Sequence, residues 1–240
     1  MVSKTRMLER VKDFAWREVA TSLSESPGLL DYRDDRGRNW LHLCCSVDPK
    51  KRPRGGSDSI KTADVLLAAG LDMNGAAFRE GHWKATPVWY CVARGRNLGL
   101  LKHLLKLGAD PNHSLWAAGF SDQLTAIKLL VAAGAELDAV TEAETPFLGA
   151  IKTSHFRSAQ LLLEFGADVD FRDPRGMTAL HCMLKKSSDA KHFRMLLKYG
   201  ARGDIPDRDG RTAAEIMARK RAPEFRKLAA QLAADPSGAR

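Results

Sequence analysis

Two clusters of side chains in this 240-residue chain have the chemistry to hold a metal: His42-x-Cys44-Cys45 and His181-Cys182. Imidazole and thiolate are the usual ligands of structural zinc, which needs four of them in closely spaced pairs. Only four cysteines occur, Cys44, Cys45, Cys91 and Cys182, and no two form a Cys-x-x-Cys pair. Adjacent Cys44 and Cys45 do not readily bridge each other. Neither a metal site nor a disulfide framework is therefore expected, and a reducing compartment suits the thiols. Catalytic chemistry has no better foothold. There is no Gly-rich phosphate loop, no Gly-x-Ser-x-Gly, no His-Glu-x-x-His and no paired acids in a recognisable frame. No catalytic residue, no cofactor and no enzyme activity is expected.

Charge offers a different chemistry. Lysine and arginine number 38 against 29 acids, for a net charge of +9, which tilts the expected partner toward an acidic surface or a polyanion. The densest basic run, Lys50-Lys51-Arg52-Pro53-Arg54, could follow phosphates. Elsewhere the basic residues alternate with acids, as in Arg33-Asp34-Asp35-Arg36, Arg172-Asp173 and Asp207-Arg208-Asp209, and local charge near zero suits a polyanion poorly. An acidic protein surface is the preferred partner, with nucleic acid or another polyanion at residues 50–54 the alternative. No run of about 18 apolar residues is present, so no membrane span is expected. The first 16 residues carry Lys4, Arg6, Glu9, Arg10, Lys12 and Asp13 without an apolar core, unlike a secretory signal. A cytoplasmic monomer is expected, delivery into a host cell as an effector remaining open. Richness in Ala, Arg and Leu suggests a bacterial source.

The elements that position these residues repeat. Five segments end alike: Leu-Leu-Ala-Ala-Gly70-Leu-Asp72-Met-Asn74, Leu-Leu-Lys-Leu-Gly108-Ala-Asp110-Pro-Asn112, Leu-Leu-Val-Ala-Ala-Gly134-Ala-Glu136-Leu-Asp138, Leu-Leu-Leu-Glu-Phe-Gly166-Ala-Asp168-Val-Asp170 and Leu-Leu-Lys-Tyr-Gly200-Ala-Arg202-Gly-Asp204. Their glycines follow one another at 38, 26, 32 and 34 residues. In phase with them come Thr86-Pro87-Val88-Trp89, Thr145-Pro146-Phe147-Leu148 and Thr178-Ala179-Leu180-His181, with weaker copies at Asn39-Trp40-Leu41-His42 and Thr212-Ala213-Ala214-Glu215. Threonine caps a first helix and proline fits its first turn, where the missing N–H costs nothing. The Leu-Leu pair buries a second helix, and glycine closes it in the left-handed conformation. Asp or Asn then supports a tight turn. With aromatics at only 7 %, the core is expected to be built from Leu, Ala, Val and Ile.

Both motifs and the period of about 33 residues resemble the ankyrin repeat, over roughly residues 31–228. The resemblance implies an all-α solenoid of about six to seven helix-turn-helix units and a scaffold that binds protein partners through a concave groove and projecting fingers. A single domain over 1–232 is expected, with 1–31 and 205–232 as end caps, 32–204 as repeats and 233–240 as a disordered tail. It also makes His42 and His181 structural, and places Cys44, Cys45 and Cys91 where small residues let helices touch. Trp89 and Trp116 then stand where the family usually has His.

Departures from the repeat carry the site expectations. Asp170 to Thr178 and Asp204 to Thr212 each hold seven intervening residues, the usual finger. From Asn74 to Thr86 there are eleven, including Phe78, Arg79, His82 and Trp83, whereas Asn112 runs straight into His113. An elongated finger beside a missing one is expected to form the main contact site, exposing Phe120 and an edge of Trp116. The alternative is that the finger folds down and fills the gap, with Trp83 packing on Trp116 as internal core. A surface loop is expected over residues 48–57. By alignment with the family, the groove positions include Arg94, Lys152, Lys185 and Lys186 and carry no acid, implying that they meet an acidic partner.

Overall fold

The computed structural model describes residues 2–80, 83–141 and 143–234. Among them fourteen α-helices follow in order: α1 (Lys4–Lys12), α2 (Trp16–Glu25), α3 (Trp40–Cys45), α4 (Gly56–Ala68), α5 (Pro87–Tyr90), α6 (Leu98–Lys106), α7 (Leu115–Phe120), α8 (Leu124–Ala132), α9 (Pro146–Lys152), α10 (Phe156–Glu164), α11 (Ala179–Lys185), α12 (Ala190–Lys198), α13 (Ala213–Ala218) and α14 (Pro223–Ala234). Six consecutive pairs pack as helical hairpins: α1 with α2, α3 with α4, α5 with α6, α9 with α10, α11 with α12 and α13 with α14. The only strands among the described residues, β1 (Arg79–Glu80) and β2 (Trp83–Lys84), form an antiparallel ribbon with Glu80 opposite Trp83. The expected all-α fold of helix-turn-helix repeats is the one found. Helix α14 reaches Ala234, two residues into the expected tail, and residues 235–240 lie outside the described part. The expected loop over 48–57 is shorter, because α4 already begins at Gly56. No described helix is long and apolar enough to cross a membrane.

The chain divides into two compact units, residues 1–118 with 125–136, and residues 119–124 with 137–240. In the first, α1 and α2 pack beside α3 and α4, which pack on α5 and α6. Its core contains fully buried Met7, Phe14, Trp40, Leu66, Leu100, Leu101 and Leu104. In the second, α9 and α10 form one hairpin, α9 packs on α11, and α13 and α14 close the stack around Phe147, Leu162, Phe193 and Met217. The core is built mainly of Leu, Ala, Val and Ile, as expected, and Phe14, Trp40, Phe147 and Phe193 are added among its largest fully buried side chains. Few aromatics are present, but several of those few are placed inward. Trp40 also satisfies its indole, which donates to the Leu29 carbonyl at 2.7 Å while the ring stacks on Tyr32 at 4.1 Å.

Local chemistry follows the repeat. Thr86, Thr145 and Thr212 accept the N–H of the third residue of the helices they start, at 3.2–3.3 Å, and Asn39 does the same at 3.1 Å. The five repeat glycines hold φ between 80° and 97°, the left-handed cap that a Cβ resists. In four of the five repeats the closing Asn or Asp does more than support a turn, because it reaches the backbone of the repeat that follows. In the first unit Asn74 accepts the Asp110 N–H at 2.9 Å and Asn112 the Glu136 N–H at 3.1 Å. In the second, Asp138 accepts from Asp168 at 3.1 Å and Asp170 from Arg202 at 2.9 Å.

Asparagine does this work without charge, whereas burial raises the carboxyl pKa of Asp170 above its ordinary value. A carboxyl whose pKa is raised by folding costs stability once ionised. Asp170→Asn is thus expected to stabilise the protein at pH 7 by roughly 0.5 kcal/mol, a degree or two in melting temperature. The sign of the pH dependence is fixed. The gain is full above the folded pKa and fades as pH falls through the carboxylate range, where the aspartate becomes neutral too. Thermal melts at pH 7 and pH 3.5 test it, and a variant less stable at pH 7 would show that the charge is favourable there.

Candidate binding surface

The regular fingers are held by the acids that alternate with arginines in the sequence. Asp34 accepts the backbone N–H groups of Arg36 and Arg38 at 3.0 and 2.9 Å. Asp173 accepts those of Arg175 and Met177, and Asp207 those of Asp209 and Arg211, at 2.9–3.0 Å. Each carboxylate therefore ties off its own turn. Two adjacent fingers of the second unit also bond to each other, Arg208 N–H to the Arg175 carbonyl at 3.0 Å and the Arg172 guanidinium to the Pro206 carbonyl at 2.9 Å.

In two repeats a histidine reaches the finger that follows. His42 sets Nε2 2.9 Å from the Gly75 carbonyl, and His181 sets Nε2 3.1 Å from the Arg211 carbonyl, each in the next finger. Burial holds the His42 imidazole down to about pKa 4, so it is neutral at physiological pH. After Trp89 comes the junction at Asn112–His113 that has no finger, so an imidazole there would lack its carbonyl. Among the described residues the Trp89 Nε1 has no hydrogen-bond partner. Leu148 also stands in the histidine's place although an ordinary finger follows it, so the missing finger alone does not set that residue.

The long finger folds back on its own unit. Trp83 is half-buried and its Nε1–H donates to the His113 carbonyl at 3.3 Å. Its ring meets Phe78 edge-on at 5.1 Å and Trp89 at 5.2 Å, and Trp89 in turn meets Tyr90 at 5.0 Å. Such edge-to-face pairs at about 5 Å are favourable beyond the area they bury. On the first arm of the finger Phe78 stays 42 % exposed, and Arg79 is exposed beside it. Trp116, in the same unit, is half-buried. Phe120 belongs to the second unit and is 43 % exposed. His82 lies outside the described residues.

The basic groove residues have unequal freedom. Lys152 Nζ lies 3.4 Å from Glu144 and 3.2 Å from Asp173. Burial opposes its charge, yet the Glu144 carboxylate and the hydrogen bond to Asp173 hold its pKa above the ordinary lysine value. Lys186 donates to the Lys152 carbonyl and to Ser154 Oγ. Arg94 and Lys185 are exposed, and among the described residues neither has an acid in ion-pair contact. In the basic loop Arg52 pairs with Asp13 at 3.0 Å and Arg54 with Glu18 at 3.2 Å. Those two arginines anchor the loop to the terminal helices α1 and α2.

The four cysteines are buried free thiols, and burial raises the Cys44 and Cys45 pKa, that of Cys182 to about 11. With His42 and His181 aimed at backbone carbonyls, the clusters that resembled metal ligands have structural uses. Groups of three or more His, Cys, Asp or Glu placed to hold a metal are absent among the described residues.

Known proteins share this arrangement. The ankyrin repeat domains of human ASB11 and of Bcl-3 superpose with TM-scores of 0.70 and 0.73. Each is 20 % identical and covers 95–96 % of this chain and 98–99 % of its own. A stretch of 84 residues, 35 % of the chain, is 30 % identical to the NAD-dependent deacetylase sir2B of Dictyostelium discoideum, and the chain spans about a tenth of that protein's length. A family model described as ankyrin repeats in three copies matches residues 114–209 and 147–237, more than half of the sequence. With the capped helical hairpins, the glycine-closed second helices and the bonded fingers, that match shows that the chain belongs to the ankyrin-repeat family.

Proposed function

We propose that this chain is a binding scaffold for a partner protein rather than an enzyme, and that the partner presents an acidic surface. Ankyrin-repeat proteins are generally protein–protein interaction modules, which supports the class. The observation that carries the reading is the long finger, in which Trp83 on one arm is fastened to the scaffold while Phe78 and Arg79 on the other stand exposed. An aromatic and an arginine presented on a pre-ordered element have the make-up of an interface hot spot. The first unit adds Arg94 and the edge of Trp116. The second offers Phe120, Lys185 and Lys186, with Lys152 acting through its two acids. The ion pairs of Arg52 and Arg54 favour this reading over a polyanion, since those arginines are already neutralised.

The test is capture of the partner from a lysate of the source organism, followed by binding kinetics on the purified pair. Phe78→Ala with Arg79→Ala is expected to weaken binding by about 2 kcal/mol or more, roughly thirtyfold, with the melting temperature within a degree or two. Lys185→Glu with Lys186→Glu, or raising salt from about 0.05 to 0.5 M, is expected to slow association more than it speeds dissociation. A partner whose on-rate ignores both changes would remove the acidic surface from the proposal.

A further inference from the structure

A cavity of about 340 Å³ opens in the first unit, bounded by the end of α1, the finger around Tyr32–Arg38, the end of α3 and the turn after α5. Leu8, Leu43 and Val47 contribute apolar surface. Around them converge cations from four separate segments: Lys12, Arg38, Lys51 with Arg52, and Arg94. Two carboxylates share the wall, but both have local work. Asp34 ties its finger and pairs with Arg38 at 2.7 Å, and Asp48 caps the turn at Lys50 at 3.0 Å. Arg52 is held by Asp13. That leaves Lys12, Lys51 and Arg94 without an acid in ion-pair contact among the described residues.

One of these cations is placed by an unusual piece of backbone. Residues Cys91–Gly95, directly after α5, form a single π-helical turn, a device that re-aims side chains and recurs at functional sites. It is closed by Arg96 in the left-handed conformation and by Asn97, whose side chain caps the next helix at 3.1 Å. The turn seats Gly95 against the end of α3 and sends Arg94 over the cavity. Three like charges gathered without partners work against folding, and an anion is what relieves them.

We infer that this cavity is a carboxylate-binding pocket for an acidic segment of a partner protein, in which a Glu or Asp meets Lys12, Lys51 and Arg94 while a neighbouring apolar side chain rests on Leu8, Leu43 and Val47. The inference rests on the protein-binding reading above and names a second place where the partner is held. The apolar floor decides for a peptide over a free phosphate or a nucleic-acid backbone, neither of which has an apolar body to cover it. The volume, at the small end of ligand pockets, admits one or two side chains.

A fluorescent peptide of alternating Glu and Leu tests the pocket without the natural partner, with a Gln/Leu peptide, a Glu/Gly peptide, inorganic phosphate and a single-stranded oligonucleotide as comparisons. The Glu/Leu peptide is expected to bind the full chain and to lose about tenfold in affinity with Lys51→Glu or Arg94→Glu. Arg157→Glu, the same charge change on an exposed residue of the second unit, should leave it within about twofold. The Gln/Leu and Glu/Gly peptides are expected to bind more weakly. Arg94→Ala should bind poorly yet melt no lower than the parent, since it relieves repulsion. Equal losses with Arg157→Glu, or competition by phosphate or oligonucleotide as strong as by the Glu/Leu peptide, would overturn the pocket in favour of general charge attraction. If the peptide behaves as expected but Phe78→Ala and Arg79→Ala leave the natural complex untouched, the finger falls and the pocket stands. The reverse pattern sinks the pocket alone.

Discussion

Replacing Gly95 by alanine is expected to destabilise the protein by about 3 kcal/mol or more, whereas Gly99→Ala, four residues later, should stabilise it by about 0.5–1 kcal/mol. The contrast comes from surroundings alone. A Cβ on Gly95 would stand 2.1 Å from the Cys45 carbonyl oxygen and 3.2 Å from that of Val47, rigid backbone at the end of α3. Nothing flexible is available to give way, so α3 and the π-turn must separate. Around them Cys44, Cys45, Cys91 and Val92 are fully buried, and pushing them apart opens a seam in the first unit's core. Gly99 sits on the exposed side of α6, with only the Asn97 side chain, at 3.7 Å, near a would-be Cβ. There alanine merely removes the entropic cost of glycine inside a helix. Chemical denaturation of both variants reads the difference directly. A Gly95→Ala protein as stable as the parent would mean that the π-turn can slide off α3, and the aim of Arg94 would then be loose as well.

How legible such features are in the residues depends on the range of the interaction that makes them. The threonine caps, the Leu-Leu pairs and the closing glycines are local devices, and between them stand the helix pairs Pro87–Tyr90 and Leu98–Lys106, Pro146–Lys152 and Phe156–Glu164, and Ala179–Lys185 and Ala190–Lys198. The longer and the missing finger were also readable, since both are counts of residues between landmarks. What the residues did not disclose is set by partners far along the chain. The alternating acids looked like surface charge, yet Asp34, Asp173 and Asp207 are spent on their own turns. Lys152 looked like an open groove cation and stands between Glu144 and Asp173. The basic loop looked able to follow phosphates, although Arg52 and Arg54 reach 39 and 36 residues back to Asp13 and Glu18. The π-turn has no pattern of its own. Only the pairing of Gly95 with Asn97, a close approach beside a helix cap, hints that the first helix of that repeat ends differently.

Trp83→Ala is expected to lower stability by about 2–3 kcal/mol, some 5–10 °C in melting temperature, and to weaken partner binding only as a consequence. The indole fastens the long finger to its unit. It supplies a hydrogen bond to the His113 carbonyl at 3.3 Å, across the junction where a finger is missing, and edge-on contacts to Phe78 and Trp89. Through Trp89 and Tyr90 the aromatic contacts continue to His42, 5.5 Å from the Tyr90 ring, so the finger is tied to the first repeat's own cap. Removing the indole leaves a half-buried void and an unpaired carbonyl at residue 113, and frees the Phe78 ring to move. Trp83→Phe keeps most of the packing but not the donor, and should fall between, about 1 kcal/mol below the parent. Phe78→Ala makes the complementary case, since a side chain 42 % exposed costs little stability and, as a contact, much affinity. Measuring melting temperature and partner affinity for all three separates anchor from contact. A Trp83→Ala protein that melts with the parent yet no longer binds would assign the contact to Trp83 itself and return the finger to an open, reaching conformation.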